Sequence, residues 1–323
     1  MKNIFIFFLL MVFISPSSAL AQAKKIFTIG ITQWASNPDY DRNIQGFKDG
    51  LAEKGYTQGE NVKFILKNPQ ANLDSQIEIV QSFVDHKVDL IYSLTTPGTL
   101  VTKGVTSRIP IVFSIVTYPV ETEIVASLTS SGNNLTGTTN YVPASRQYFY
   151  FEKIYPSTKT LAFVHRKGEP NSAIQYKEFK EYLDKRKVAL MDIAAVDLDD
   201  IQEKLKSNVE KIDALYEACD TLIQTGGAEV INQFSSQFKK PNFSCIKNGV
   251  LKGALIGNVK DFYAIGKTSG EKAALILEGV PPSKIQIESA LEDGLIVNTK
   301  TAKELGLTVP AEILGKAKEI IDQ

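Results

Sequence analysis

The sequence predicts an α/β protein of two Rossmann-like lobes, each built on a parallel sheet, joined by a hinge. Three observations carry that expectation. Short β-branched apolar runs alternate with longer amphipathic segments from Lys25 onward, the pattern of βαβ units. The alternation runs through one half of the chain and starts again near residue 160. The length, 323 residues, exceeds what a single hydrophobic core usually fills.

In the first half, strands are expected at 26–32, 62–67, 89–94 and 110–116, with helices at 40–54, 72–86 and 97–106. Ile77, Val80, Phe83 and Val84 put a one-sided apolar stripe on the second helix, and Gly55 suits a left-handed residue closing the first. Turn formers around a short strand at 135–141 place the first passage between lobes near residues 141–144. In the second half, strands fall at 160–165, 189–196, 214–219 and 242–247, and helices at 172–186, 199–209 and 228–238. After Gly253 come a strand (254–258), a helix (261–278), an extended segment (284–289), a strand (295–298) and a terminal helix after Pro310. That is one βα unit more than the second lobe needs. Threading the surplus back gives a first lobe of 24–142 plus about 259–290 and a second of 143–258 plus about 291–323. The hinges then lie near Tyr141 and Asn258, the arrangement of type I periplasmic binding proteins.

Lys2, an apolar run at 4–14 and the small-x-small site Ala21-Gln22-Ala23 read as a secretory signal peptide over residues 1–23. The run is too short for the roughly 20 residues that span a bilayer. Lys plus Arg and Asp plus Glu are equal at 36 each, and the basic residues are spread out, so nucleic-acid binding lacks electrostatic support. Cys219 and Cys245 either pair in an oxidising compartment or sit as two buried thiols. His86 and His165 have no Cys or His at ligand spacing, so no metal site is expected.

Gly266-Lys267-Thr268 ends like a phosphate-binding loop, but Asp261 stands where that motif needs glycine. The string is expected instead inside a helix facing the first lobe. No nucleophile elbow, zinc-binding helix or dinucleotide loop follows an expected strand, so a catalytic reading lacks a nucleophile, metal or cofactor.

Polar and aromatic residues do collect at the carboxyl ends of the expected strands, where open α/β sheets bind ligands. They are Thr32, Gln33 and Trp34; Ser93, Thr95 and Thr96; Thr117 and Tyr118; residues 165–172, including Asn171; Glu217 and Asp220; and Asn248. Thr96 is expected to cap a helix opened by Pro97, leaving the N–H groups of Gly98 and Thr99 free for an anion. Trp34, the only tryptophan, suits a pocket floor, with Tyr118 and Tyr141 flanking it. Asp220 could face a ligand ammonium, which with the helix start makes an amino-acid clamp.

Seven strings, in order, carry a likeness: Thr95-Thr96-Pro97, Ile109-Pro110-Ile111-Val112-Phe113, Val116-Thr117-Tyr118-Pro119-Val120, Asn134-Leu135-Thr136-Gly137, Pro170-Asn171-Ser172, Leu277-Glu278-Gly279 and Ala302-Lys303-Glu304-Leu305-Gly306-Leu307-Thr308-Val309-Pro310. Together they resemble the ABC transporter substrate-binding protein family that includes the tryptophan-binding TrpX type. The resemblance covers nearly all of the chain after residue 23. It implies a two-lobed periplasmic or extracellular receptor that closes on a small molecule, aromatic amino acids included, and delivers it to an ABC permease with a cytoplasmic ATPase; a monomer in the periplasm is expected. Where that family commonly shows Thr-Asp-Pro-Val, this chain has Thr117-Tyr118-Pro119-Val120, a lost carboxylate and a gained phenol; Asp220 keeps the acidic position. Two rivals remain: a periplasmic sensor component signalling to a membrane partner, and an exported hydrolase using His165 and Asp220.

Overall fold

The computed structural model describes residues 25–289 and 293–322; the leader expected at 1–23 lies outside them. The chain begins β1 (Phe27–Thr32), α1 (Pro38–Glu53), β2 (Val62–Lys67), α2 (Leu73–Asp85), β3 (Leu90–Leu94), α3 (Thr96–Val105), β4 (Ile111–Val116) and β5 (Leu135–Thr139). It continues α4 (Ala144–Ile154), β6 (Thr160–Arg166), α5 (Pro170–Asp184), β7 (Ala189–Ala195), α6 (Leu198–Ser207), β8 (Ala214–Glu217), α7 (Ala228–Phe238), β9 (Asn242–Ser244), α8 (Lys247–Leu251) and β10 (Ile256–Lys260). Last come α9 (Phe262–Leu277), β11 (Glu288–Ser289), β12 (Asp293–Asn298), α10 (Thr299–Glu304), α11 (Ala311–Leu314) and β13 (Glu319–Ile321).

Two sheets result, ordered β2-β1-β3-β4-β5-β11 and β7-β6-β8-β9-β10-β12-β13. Strand pairs are parallel except β10 with β12. Helices cover both faces of the first sheet, which is why β3 and β4 are buried at every position rather than alternating. Leu90, Tyr92 and Leu94 meet α1 and α9 on one face, and Ile91 meets α2 on the other. The second sheet buries one large core in which Phe243 stacks on Phe151 at 4.5 Å.

The chain leaves the first sheet after β5 and the second after β10. Asn258 lies within β10, paired with Leu295, so this second passage follows Lys260. Helix α9 packs on the first lobe and β11 pairs with β5, whereas β12 and β13 join the second sheet. The terminal helix expected after Pro310 is corrected. Only the four residues of α11 are helical, and the chain then forms β13, because pairing with β12 satisfies its backbone.

Cys219 and Cys245 are bonded, with Cα atoms 5.7 Å apart, tying the chain just beyond β8 to that just beyond β9. Beneath them, Glu217 is fully buried. Its Oε1 accepts from Asn242 Nδ2 at 2.7 Å, while Oε2 has no partner. Burial pushes this carboxyl up to about 8, against the neighbouring Ser244 and Asn242 side chains, which lower it. The folded protein therefore holds a proton that the unfolded chain releases near 4.5, and stability falls as pH rises through that window. Glu217→Gln is expected to gain about 2–4 kcal/mol relative to the parent between pH 5 and pH 8. Urea unfolding at both values checks it; equal shifts in the two proteins would contradict it.

Candidate ligand-binding cleft

Ligands of open α/β sheets bind beyond the carboxyl ends of the strands, where strand order reverses. That point lies between β1 and β3 in the first sheet and between β6 and β8 in the second. The residues that follow these strands enclose a cavity of about 650 Å³, with Trp34, Pro97 and Leu100 on one wall and Arg166, Lys167 and Glu169 on the other.

The first wall is built on unusual backbone. Trp34 (φ 69°), Thr95 (φ 69°) and Ile115 (φ 57°) all adopt the left-handed region, at or near the ends of β1, β3 and β4. Residues with bulky or branched side chains rarely do so, and such strain persists where the surrounding structure enforces it, often at binding sites. Thr95, not Thr96, caps α3: its Oγ1 accepts from the Gly98 N–H at 3.5 Å. The left-handed turn at Thr95 starts the helix one residue early, so Thr96 is its first residue; both are buried.

Other expected residues serve the framework. Ser93 Oγ lies 3.2 Å from both Thr99 Oγ1 and Thr102 Oγ1, a hydroxyl cluster fixing α3 to β3. Gln33 Nε2 donates to Asp41 on α1 at 2.5 Å, and Thr117 Oγ1 donates to Asn140 Oδ1 at 3.1 Å. Asn248 sits in the first turn of α8, outside the residues lining the cavity.

Tyr118 and Tyr141 are not brought to Trp34. They meet edge to face, ring centres 5.3 Å apart, in a second cavity of about 410 Å³ beside α5. Tyr118 Oη donates to Glu178 Oε2 at 2.6 Å, and Oε1 accepts from Tyr141 Oη and the Ala144 N–H, both at 2.9 Å. Glu178 lies on α5 in the second lobe and Tyr118 follows β4 in the first, so this carboxylate latches the lobes together. Burial, then the charge of Glu178, holds the Tyr118 phenol far above its usual range, so the latch keeps its protons at physiological pH. Tyr118→Phe is expected to weaken ligand binding about tenfold by lowering the closed fraction. Small-angle scattering of the ligand-free variant should show a larger radius of gyration than the parent; an identical radius and affinity would contradict the latch.

On the second wall, Asp220 is fully engaged. Its Oδ2 accepts from the Arg166 N–H at 2.8 Å and Ser172 Oγ at 3.1 Å, and its Oδ1 from the Ile223 N–H at 3.0 Å. Asn171 Nδ2 donates to the Cys219 carbonyl at 2.8 Å, leaving Oδ1 unpartnered. His165 lies 2.7 Å from Asp192 Oδ1 on β7, and no hydrogen bond joins it to Asp220 among the described residues. Glu169, beside the cavity, receives the Thr221 hydroxyl at 2.5 Å and the Thr221 N–H at 3.2 Å. Burial and then the nearby Asp220 charge push its carboxyl up to about 8.

Four buried polar atoms between the lobes lack partners: Trp34 Nε1, Tyr40 Oη, Asn171 Oδ1 and Gln224 Oε1. The Gln224 carbonyl meanwhile accepts from Asn37 Nδ2 across the cleft at 2.6 Å. Tyr40, Gln224 and Glu178 escaped sequence reasoning, since each sits inside a helical segment rather than at a strand end. Glu169 lay within the expected 165–172 stretch, but nothing in the sequence singled it out.

A family model described as ABC transporter substrate binding protein matches residues 28–321. A tyrosine-binding protein of Clostridioides difficile (strain R20291) is 30% identical over 293 residues, 91% of this chain and 85% of that protein. The structure of an ABC domain from Streptococcus pneumoniae in complex with L-Trp superimposes with a TM-score of 0.88 at 26% identity, covering 92% of this chain and 100% of that one. A ligand-free, open substrate binding protein with adhesive properties from Clostridium difficile gives a TM-score of 0.72 at 27% identity, with the same coverage of both chains.

Proposed function

This chain belongs to the ABC transporter substrate-binding protein family, and from that premise we propose that it is the periplasmic receptor of an ABC importer, closing on an aromatic amino acid. The observation that carries the ligand proposal is the set of unpartnered buried polar atoms on both walls, because native interiors leave few such groups unsatisfied. A ligand with several polar groups, seated between Trp34 and Tyr40, completes them. The closer likeness to the L-Trp complex than to the open, ligand-free relative, together with the Asn37–Gln224 and Tyr118–Glu178 contacts, supports reading this arrangement as the closed one.

In this reading the ligand carboxylate sits at the start of α3, against Thr95, Thr96 and the helix N-terminus, with Thr117 behind. Its ammonium faces the acids Asp220 and Glu169. Trp34 stacks on the side chain. The disulfide favours an oxidising, extracytoplasmic setting, consistent with removal of residues 1–23 on export. A membrane permease with its cytoplasmic ATPase is then the partner, and the receptor itself carries out no chemistry. Mass spectrometry of the native protein from the periplasmic fraction, followed by denaturation, tests the reading. An aromatic amino acid should be released; a sugar, or a ligand without an amino group, would overturn it.

A further inference from the structure

We infer that Glu169 is the counter-ion of the ligand's ammonium group, and that ligand binding drives a proton off the Glu169–Asp220 pair. This rests on the amino-acid reading above and assigns the ammonium to a different acid from the one expected at the outset. Asp220 has both oxygens filled by Arg166, Ser172 and Ile223 of its own lobe. Glu169 lines the cavity facing Trp34 and Pro97, and its donors all come from a single residue, Thr221, with Oε1 holding only a 3.2 Å contact. That oxygen has room for a further donor.

The groups facing Glu169 come from three directions. Asp220 lies beyond β8, with His165 near it; Arg166 Nε stands 4.0 Å from Oε2, its side chain 36% exposed; Tyr40 approaches from α1. Lys167 borders the same cavity. The largest influence on Glu169 is burial, followed by the like charge of Asp220, and Arg166, partly in solvent, compensates only weakly. In the closed cleft, before a cation arrives, burial and Asp220 therefore favour the protonated Glu169 carboxyl. A protonated carboxyl is a poor partner for an ammonium, whereas an ionised one forms a charge-assisted hydrogen bond with it. The arriving cation lowers the carboxyl's proton affinity, and the proton leaves to solvent.

Calorimetric titration of the intact mature protein with L-tyrosine at pH 7, in buffers of different ionisation enthalpy, should show net proton release on binding, of at most about one proton per ligand. Affinity should rise by up to about tenfold per pH unit from pH 6 and flatten near pH 8. Glu169→Gln, which keeps an acceptor for Thr221, should bind at least 30-fold more weakly and release no proton. The des-amino analogue 3-(4-hydroxyphenyl)propionate should bind the parent poorly at pH 7. Tight L-tyrosine binding without proton release, or at unchanged affinity in Glu169→Gln, would overturn this inference and leave the receptor reading intact. The absence of binding by any amino acid would overturn both.

Discussion

Gly266→Val is expected to destabilise the protein by more than about 4 kcal/mol and to cut its soluble yield sharply. Helices α1 and α9 touch backbone to backbone through two glycines on each, spaced four residues apart. A Cβ at Gly266 would meet the Asn43 carbonyl oxygen at 2.0 Å, and one at Gly50 the Lys267 oxygen at 2.1 Å. At Gly46 the obstacle is the Tyr263 oxygen at 2.2 Å, and at Gly270 the Phe47 oxygen, also at 2.2 Å. Backbone cannot rotate aside as a side chain would, so the helices must part. Parting them unseats Phe47, which stacks on Tyr92 at 3.8 Å in the first lobe's core. Gly104→Ala, at an exposed position of α3 where an added Cβ meets nothing within 4 Å, is the control and should gain about 0.5 kcal/mol. Thermal melts of the three proteins decide; a Gly266→Val melt equal to the parent's would contradict this packing.

Asp220→Ala should lower stability by about 3 kcal/mol and weaken amino-acid binding by tens to thousands of fold. The substitution strands two buried N–H groups, of Arg166 and Ile223, together with the Ser172 hydroxyl. Each orphan costs about 1–3 kcal/mol, partly offset because Glu169 loses its like-charged neighbour. Binding suffers twice, since the segment after Asp220 carries Gln224 and its contact to Asn37, and since the pocket loses negative charge. Denaturant unfolding and calorimetry well below the melting point separate the two effects. A variant with parental stability and affinity would remove Asp220 from the account.

The lobes and their parallel sheets were legible because buried parallel strands impose continuous β-branched runs, as at β4, and because the helix holding Gly266 could be told from a phosphate loop by Asp261. Helix α4 was not. Its run Tyr148, Phe149, Tyr150, Phe151 favours strand by composition, and only packing of Tyr148 and Phe151 against Phe243 makes it helical. At the cleft, strand-end logic singled out Trp34, Thr95, Thr96, Asn171 and Asp220, and the structure places each just beyond the carboxyl end of a strand, after β1, β3, β6 or β8. It could not see that Tyr118 and Tyr141 would be committed to Glu178, 60 and 37 residues further along, because such pairings depend on how the two lobes meet. Nor could it rank Glu169 against Asp220, whose difference lies in which acid its own lobe has already satisfied.

Trp34 is the only tryptophan and it faces the cleft, so its fluorescence reports on the site without a label. Titrating the protein with L-tyrosine, exciting at wavelengths that tyrosine does not absorb, tests the central claim most directly. The account predicts a saturable change in Trp34 emission with L-tyrosine and none with glucose or myo-inositol at the same concentrations. Emission unmoved by any aromatic amino acid, but shifted by one of those sugars or polyols, would contradict it.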